Sequence, residues 1–226
     1  MKHYIWHPIA WGQKPLNKEW VDYRFNIYTK YVYPSLLAQT SQDFEIIIYI
    51  KHNFDYVREK FSSLPIHIIN LDEGLSDKTV TVATGEQVFW TRLDTDDVMS
   101  ISAIKYIQQQ VWQPDRSIVM GDGFCYSVSE NRWGEYISKN CQPHSTICIP
   151  GKEWNDGLQA RKKFWCKHSE VPSRFPDSIN LGKGWYCQLI HQNNEMSKMR
   201  NPIDTETIRS IIESEYPTLQ NHQNEI

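Results

Sequence analysis

Short apolar runs that alternate with helical segments constrain the fold of this chain more than any other feature. Three of them, residues 44–50, 65–71 and 87–93, are too short for confident helices and are rich in β-branched or aromatic residues. Such runs are typical of strands buried on both faces, which occur in parallel sheets covered by helices. The sequence therefore predicts an α/β fold with a mostly parallel central sheet.

Propensity and turn signals predict further elements before and after these runs. In chain order they are a strand at 3–7, helices at 17–32, 34–40 and 55–61, a helix after Ser100, strands at 117–123 and 124–129, and a helix at about 204–215 capped by Asp204. We expect Pro34 to end the first of these helices and to open the second. The polar turn after residue 129 favours a hairpin. Residues 72–86 show no pattern that assigns them.

The charge balance and the cysteines bear on the class of protein and its compartment. With a net charge of −3 and a pI of about 6.2, the chain has no general attraction for nucleic acid, which is not an expected partner. The five cysteines are odd in number and include no CxxC pair, which favours a reducing compartment. No signal peptide and no run of ~18 apolar residues is recognised, so we expect a cytoplasmic protein without a membrane span.

The stretch "RLDTDD" places the carboxylates of Asp94, Asp96 and Asp97 directly after the 87–93 run. Carboxylates this close repel one another, so some other group has to offset the repulsion. One explanation is structural: Asp96 or Asp97 caps a helix that starts near Val98. That explanation accounts for one or two of the acids and leaves Asp94 without a role.

A bound cation is the alternative explanation, and the spacing distinguishes between cations. An EF-hand calcium loop is excluded, because the positions of its glycine and glutamate hold Met99 and Lys105. Mn²⁺ or Mg²⁺ prefers carboxylate oxygens and commonly bridges to phosphates, and α/β sheets bind ligands at the carboxyl ends of strands. In an extended stretch Asp94 and Asp96 point to the same side, so they can share one face of such a site.

Three stretches of the chain resemble a known family of enzymes. "WVDYRFNIYTKYVYPSLLAQTSQDFEIIIYI" is similar to the opening of the rhamnosyltransferase-like glycosyltransferases, which show an Arg-containing helix, a "PSL..Q" segment and a strand. "TRLDTDD" resembles the acidic motif of that family, and "LIHQNN" resembles its late His-x-x-Asn segment. The resemblance implies a GT-A type enzyme whose nucleotide-diphosphate sugar is bound through Mn²⁺ or Mg²⁺ to Asp94 and Asp96, with help from Asp97.

The resemblance also implies roles for residues outside the acidic motif. His191 in "LIHQNN" is implied as a further metal ligand, with His168 and His144 as second and third choices. Without the resemblance, a hydrogen bond at a strand end would explain His191 better. Arg24 stands where the family pattern has its arginine and would bind phosphate or a base edge, although a surface ion pair explains it equally well.

Other candidate site residues follow from chemistry and position. Arg92 could orient the carboxylates or the diphosphate, and Lys51 follows a strand where related folds place a residue near the nucleotide base. A transferase that inverts configuration needs a general base for the acceptor hydroxyl. The candidates for that base, with the first slightly favoured, are Asp156, Asp122, Glu153 and Asp177.

The 226 residues suit a single GT-A-like domain. Within it we expect a nucleotide-sugar-binding half at about 1–125, an acceptor half at about 126–200, and a C-terminal helix and tail at about 201–226.

The predicted function is metal-dependent transfer of a hexosyl or deoxyhexosyl group from a nucleotide-diphosphate sugar to a hydroxyl acceptor. The acceptor would be a glycan in surface polysaccharide biosynthesis. Three alternatives are a non-catalytic glycan- or nucleotide-binding module of the same fold, a glycosyltransferase that acts on DNA bases, and a nucleotidyltransferase. The clustered acids argue against the binding module, and the lack of a glycine-rich basic loop near the N-terminus argues against the nucleotidyltransferase.

Overall fold

The structure is a computed structural model that describes residues 1–9, 17–50, 55–70, 74–75, 80–138, 144–192, 199 and 201–220. Its strands are β1 (Lys2–Pro8), β2 (Glu45–Ile50), β3 (His67–Asn70), β4 (Gln87–Arg92), β5 (Asp97–Met99), β6 (Ser117–Met120), β7 (Gly123–Ser127), β8 (Arg132–Tyr136), β9 (His144–Pro150), β10 (Ser178–Asn180) and β11 (Tyr186–Ile190).

The α-helices are α1 (Lys18–Ile27), α2 (Tyr33–Leu37), α3 (Asp55–Phe61), α4 (Ala103–Gln108), α5 (Gly151–Asn155), α6 (Leu158–Phe164), α7 (Val171–Arg174), α8 (Thr205–Glu215) and α9 (Pro217–Gln220). A 3₁₀ turn at His168–Glu170 precedes α7. Within the described ranges, no helix combines the length and apolar character that a membrane crossing requires.

The larger sheet has the strand order β10-β6-β9-β4-β1-β2-β3. β1 pairs in parallel with β2 and β4, whereas β9 is antiparallel to both of its neighbours. This arrangement confirms the predicted α/β fold with a mostly parallel central sheet. The parallel strands all end at one edge of the sheet, here named the carboxyl edge, and begin at the opposite amino edge.

The middle of each central strand of this sheet is apolar because both of its faces are covered. In β1, Ile5 packs into one core cluster together with Tyr28, and its neighbour Trp6 packs into a second cluster with Trp154. Ile5, Tyr28 and Trp154 have no exposed surface. β2 and β4 contribute to both clusters in the same way, which confirms the predicted burial on both faces for these two strands. The prediction is wrong for β3, an edge strand of which only Ile69 is buried.

The smaller sheet has the strand order β5-β11-β7-β8 and packs against α8. Ile208 and Ile212 of that helix contact the same apolar cluster as Leu189 of β11. The predicted cap is confirmed, since the Asp204 side chain accepts a hydrogen bond from the N–H of Glu206 (3.1 Å). This layer holds β11, and with it His191, against the rest of the fold.

Two local predictions about helix boundaries are wrong. No helix starts near Val98, because residues 97–99 form β5 and pair with β11; α4 begins at Ala103, after Ser102. Asp96 and Asp97 are therefore not helix caps. Pro34 does not break the helical path either, because a π-helical turn at Tyr28–Val32, in which the N–H of Tyr33 donates to the carbonyl of Tyr28, joins α1 to α2. Pro34 does open the second helix as expected, since it lies in the first turn of α2.

The proposed division into halves concerns function, and the sheets do not follow it. β9 and β10 come from the stretch assigned to the acceptor half, yet they complete the larger sheet beside β4 and β6. The boundary near residue 125 stays a prediction about which residues contact donor and acceptor.

Candidate active site

The acidic cluster, consisting of Asp94, Asp96 and Asp97, lies in the turn between β4 and β5 at the carboxyl edge. The N–H of Asp97 donates to the carbonyl oxygen of Asp94 (3.2 Å), which closes the turn. The expectation of an extended stretch with Asp94 and Asp96 on one face is therefore wrong. The turn presents the three carboxylates to three different sets of partners.

The carboxylate of Asp94 lies between an arginine and a histidine. Arg92 donates from Nε to Oδ1 of Asp94 (3.0 Å), and Nε2 of His168 lies 4.0 Å from Oδ2. The Arg92 guanidinium also lies over the ring of Trp6, 5.4 Å from its centroid. Burial opposes the ionisation of Asp94, but the charges of Arg92 and His168 outweigh it and lower the pKa to about 2. Asp94 is thus an anion at neutral pH.

The carboxylate of Asp96 is contacted twice at the same oxygen, Oδ2. Arg24 of α1 forms an ion pair with it through Nη1, and Nε2 of His191 lies 3.3 Å away. Two aromatic residues of α1 pack beside these contacts. The Arg24 guanidinium lies 5.2 Å from the ring centroid of Trp20, and the ring centroids of Tyr23 and His191 are 5.3 Å apart. Burial raises the pKa of Asp96, but His191 and Arg24 overcome this and bring it below the usual value.

Asp97 is directed into the protein, where it meets His144. Its Oδ2 lies 2.9 Å from Nε2 of His144, which has no exposed surface. Burial, reinforced by the charges of Asp96 and Asp94, raises the pKa of Asp97 well above its usual value, and burial lowers the pKa of His144 to about 4. The two side chains thus form a buried pair beneath the cluster.

The three histidines considered from sequence lie against three different acids of the cluster: His168 against Asp94, His191 against Asp96, and His144 against Asp97. Sequence reasoning missed a fourth, His7, whose Nδ1 lies 2.7 Å from the carbonyl oxygen of Leu93 just before the cluster. The signal was available, because His7 comes at the end of a strand that runs parallel to β4.

The predicted general bases lie at opposite edges of the sheet. Asp122 follows β6 at the carboxyl edge, and its Oδ1 accepts from the N–H of Ser138 (2.8 Å). Glu153 and Asp156 belong to the α5 region, which follows β9 at the amino edge. The length of β4, ~20 Å for six residues, separates that edge from the acidic cluster. Glu153 pairs with Lys163 (2.7 Å), and Asp156 is exposed.

The remaining candidates from sequence are Asp177 and Lys51. Asp177 pairs with Arg116 (2.8 Å) just before β10, at the amino edge. Lys51, proposed to lie near the base, falls outside the described residues.

The chemistry of the cluster fits a divalent cation, although the side chains are not arranged around one. Asp94 and Asp96 offer anionic oxygens and His191 offers a nitrogen, a donor set that Mn²⁺ accepts. Among the described residues, however, no group of three or more His, Cys, Asp or Glu side chains is positioned to hold a metal ion. Arg24 and His191 both contact Oδ2 of Asp96, so a cation that binds this oxygen would have to change both contacts.

The comparison with protein families matches the first half of the chain. A sequence model of the family described as "putative rhamnosyl transferase" matches residues 14–118, just under half of the chain. The match covers α1, with Arg24, and extends through the acidic cluster to β6. It confirms the resemblance for the two stretches that lie within it, whereas "LIHQNN" lies beyond the matched residues. The match supports assignment to the transferases, and among them to the glycosyltransferases. No curated protein matches the chain.

Three solved structures are similar to the chain at low identity. The inositol-1-phosphate CTP transferase from T. maritima is 11% identical, with a TM-score of 0.42 over 95% of this chain and 96% of that one. A nucleotidyl transferase from Methanothermobacter is 11% identical, with a TM-score of 0.39 over 97% and 99%. The glycosyltransferase GlyE from Streptococcus pneumoniae TIGR4 is 10% identical, with a TM-score of 0.39 over 93% of this chain and 59% of that one. Similarities this distant do not assign a substrate.

Proposed function

We propose that this protein is a glycosyltransferase that uses Mn²⁺ or Mg²⁺ to bind a nucleotide-diphosphate sugar and transfers a hexosyl or deoxyhexosyl group to a hydroxyl acceptor. One observation carries the proposal: two acids, two arginines and a histidine converge at the carboxyl edge of a parallel sheet. That edge is where α/β folds bind nucleotides. The family match over residues 14–118 supports the same reaction class.

Asp94, Asp96 and His191 would hold the cation. When bound, it would supply a positive charge that stabilises the leaving nucleoside diphosphate. Asp94 suits this role because its low pKa keeps it ionised. Asp97 was expected beside these ligands; given its burial against His144, we propose that it supports the turn that presents Asp94 and Asp96.

The two arginines would bind the diphosphate. Arg92 and Arg24 already lie beside the carboxylates, and a guanidinium forms paired hydrogen bonds with phosphate oxygens as readily as with a carboxylate. Arg24 in particular would release Asp96 to the cation and turn its donors to the phosphates. Without the cation, Arg24 neutralises Asp96 and Arg92 neutralises Asp94. These two pairs offset the repulsion among the clustered carboxylates.

Among the proposed bases, position favours Asp122. It lies at the same edge of the sheet as the acidic cluster, whereas Glu153 and Asp156 lie at the other. Asp122 would accept the proton of the acceptor hydroxyl as the new glycosidic bond forms. We further propose that this hydroxyl belongs to a glycan under assembly, in keeping with a family of sugar transferases.

The test is donor turnover by the purified protein. A panel of nucleotide-diphosphate sugars is incubated with Mn²⁺, with Mg²⁺ or with EDTA, and release of the nucleoside diphosphate is measured with thermal unfolding in parallel. We expect one donor to be consumed and to raise the melting temperature only when the cation is present, since a ligand of the native state stabilises it. Binding without any turnover would favour the non-catalytic module, and turnover that persists in EDTA would remove the metal from the mechanism.

A further inference from the structure

A cavity of about 350 Å³ lies between α8 and the smaller sheet, apart from the acidic cluster. Its walls include Phe124 of β7, Trp185 before β11, and Ile208, Ile211 and Glu215 of α8. The cavity lies at the opposite end of β11 from His191, ~20 Å away for a strand of this length. Its volume falls within the range of small-molecule sites.

The apolar wall of the cavity is built on fixed side chains. The indole of Trp185 donates from Nε1 to the carbonyl oxygen of Leu181 (2.9 Å) and stacks on Tyr106, with 4.5 Å between ring centroids. Phe124 is almost fully buried. Because these rings are held by their own contacts, a ligand would not have to order them, which favours binding.

The polar wall is a carboxylate with acceptor capacity to spare. Ser100 donates to Oε2 of Glu215 (3.0 Å), and Ser102 donates to the same oxygen. The main chain of Glu215 is fixed as well, since its carbonyl accepts from the N–H of Ile101 (3.0 Å). A carboxylate has about four acceptor sites, so the two serine bonds leave room for donors from a ligand.

A ligand of this cavity has to satisfy both an apolar wall and a carboxylate, which excludes some classes of ligand. A wholly apolar ligand would take the Glu215 carboxylate out of water without replacing its hydrogen bonds. An anionic ligand would be repelled by Glu215, and Lys183 is already engaged, because its ammonium pairs with Glu135 and lies over the Phe124 ring. A pyranose ring fits both walls, since it has apolar C–H faces and hydroxyl donors at its rim.

We propose that this cavity is a binding site for one unit of a neutral carbohydrate, separate from the site of transfer. The site requires neither cation nor nucleotide. If the proposed transfer is correct, a carbohydrate held here would keep a long acceptor close to the acidic cluster, because Ser100 in the cavity wall follows Asp97 by three residues, ~10 Å along the chain. The binding itself does not depend on that function.

The test uses saturation-transfer NMR and calorimetric titration with a panel of neutral mono- and oligosaccharides, in EDTA. We expect at least one saccharide to bind, with about tenfold weaker affinity in Glu215→Gln, which keeps the size of the side chain but loses acceptor capacity. Trp185→Ala should abolish the binding. Glu206→Gln, which alters an exposed acid on the same helix, is the matched control and should bind within twofold of the wild type.

Two outcomes would overturn the proposal: no saccharide in the panel binds, or the affinity is unchanged in both Glu215→Gln and Trp185→Ala with the fold shown intact by circular dichroism. Binding of an apolar dye at this cavity in place of every saccharide would also count against it. Asp96→Asn separates the two proposals, because it should abolish transfer and leave saccharide binding unchanged. Loss of saccharide binding in that variant would place the ligand in the transfer site instead.

Discussion

The two edges of the larger sheet carry similar residue types in different surroundings. At the carboxyl edge Asp94, Asp96 and Asp97 share a turn, and apart from the adjacent Arg92 their partners come from distant parts of the chain. At the amino edge the acids pair with basic groups at the surface, as Glu153 does with Lys163. Surface pairs of that kind are worth little because water and salt screen them.

Burial and coupling are what distinguish the carboxyl edge. The pKa of Asp94 is lowered and that of Asp97 is raised, although the two residues lie three positions apart. Two carboxyl groups so close, with opposite shifts, are a mark of functional sites. The surroundings of a carboxylate therefore identify a site better than the residue type does. If so, substitutions at the carboxyl edge should affect transfer far more than substitutions of acids at the amino edge.

The largest effect is expected from Asp96→Asn. Asparagine keeps the shape of the side chain but removes the charge that would hold the cation, so we expect transfer to fall by about 10³-fold, on the order of 4 kcal/mol. Initial rates with the donor identified above measure this. Asp177→Asn is the matched control at the amino edge and should keep its rate within twofold. Similar rates for both variants in folded protein would contradict the assignment of the site.

His3 is a deeply buried titratable group near the amino edge, and its Nε2 lies 2.7 Å from Oγ1 of Thr91. Burial lowers its pKa from 6.5 to about 3. Below pH 6.5 the unfolded chain therefore binds a proton that the folded chain does not, and stability falls as the pH drops towards 3. At about pH 4.5 this amounts to roughly 3 kcal/mol.

His3→Gln should remove that contribution. The expected result is that the loss of stability between about pH 7 and about pH 4.5 is smaller by roughly 3 kcal/mol in the variant, as measured by urea unfolding at both values. Glutamine can retain a hydrogen bond to Thr91, which limits the damage at neutral pH. An unchanged pH dependence would show that His3 is protonated in the fold. The effect should leave donor binding at neutral pH untouched.

Arg24→Gln should have a smaller effect, and the effect should be a gain in affinity for the cation. In the structure Arg24 pairs with Oδ2 of Asp96 and offsets the charge that would attract a cation, so its removal should favour cation binding. We expect the affinity for Mn²⁺ alone to rise about tenfold, or about 1.4 kcal/mol, by calorimetric titration. Arg116→Gln, whose arginine pairs with Asp177, is the control and should not change the affinity. Weaker Mn²⁺ binding in Arg24→Gln would mean that the arginine assists the cation.

Much of the fold follows from local pattern. The runs that became β2 and β4 are mostly apolar because the sheet buries both of their faces, and a short apolar run indicates such a strand by itself. The stretch after Asp96 shows the limit, because residues 97–99 form a strand only by pairing with β11, about ninety residues later. No local signal contains that pairing, so the sequence predicts a helix there.

The same limit applies to the site. The acidic cluster and Arg92 could be located from sequence, since they are contiguous at the end of an apolar run. Arg24 and His191 were reached only through the family resemblance, and their contact with one oxygen of Asp96 joins residues far apart in the chain. The spacing could not reveal that Asp97 turns inwards to His144, because the direction of a side chain in a turn depends on the turn geometry.

The smallest effect is expected from Asp156→Asn, although the residue was the favoured base on sequence grounds. The side chain is exposed after α5 at the amino edge, ~20 Å from the acidic cluster, and a general base has to lie within hydrogen-bond reach of the proton it accepts. We expect the rate to stay within twofold of the wild type, whereas Asp122→Asn should lower it by about 10²-fold. Rates of both variants at saturating donor and acceptor show which edge of the sheet supplies the general base. A large loss in Asp156→Asn alone would mean that the acceptor reaches round the sheet, and that the surface acids at the amino edge take part in catalysis.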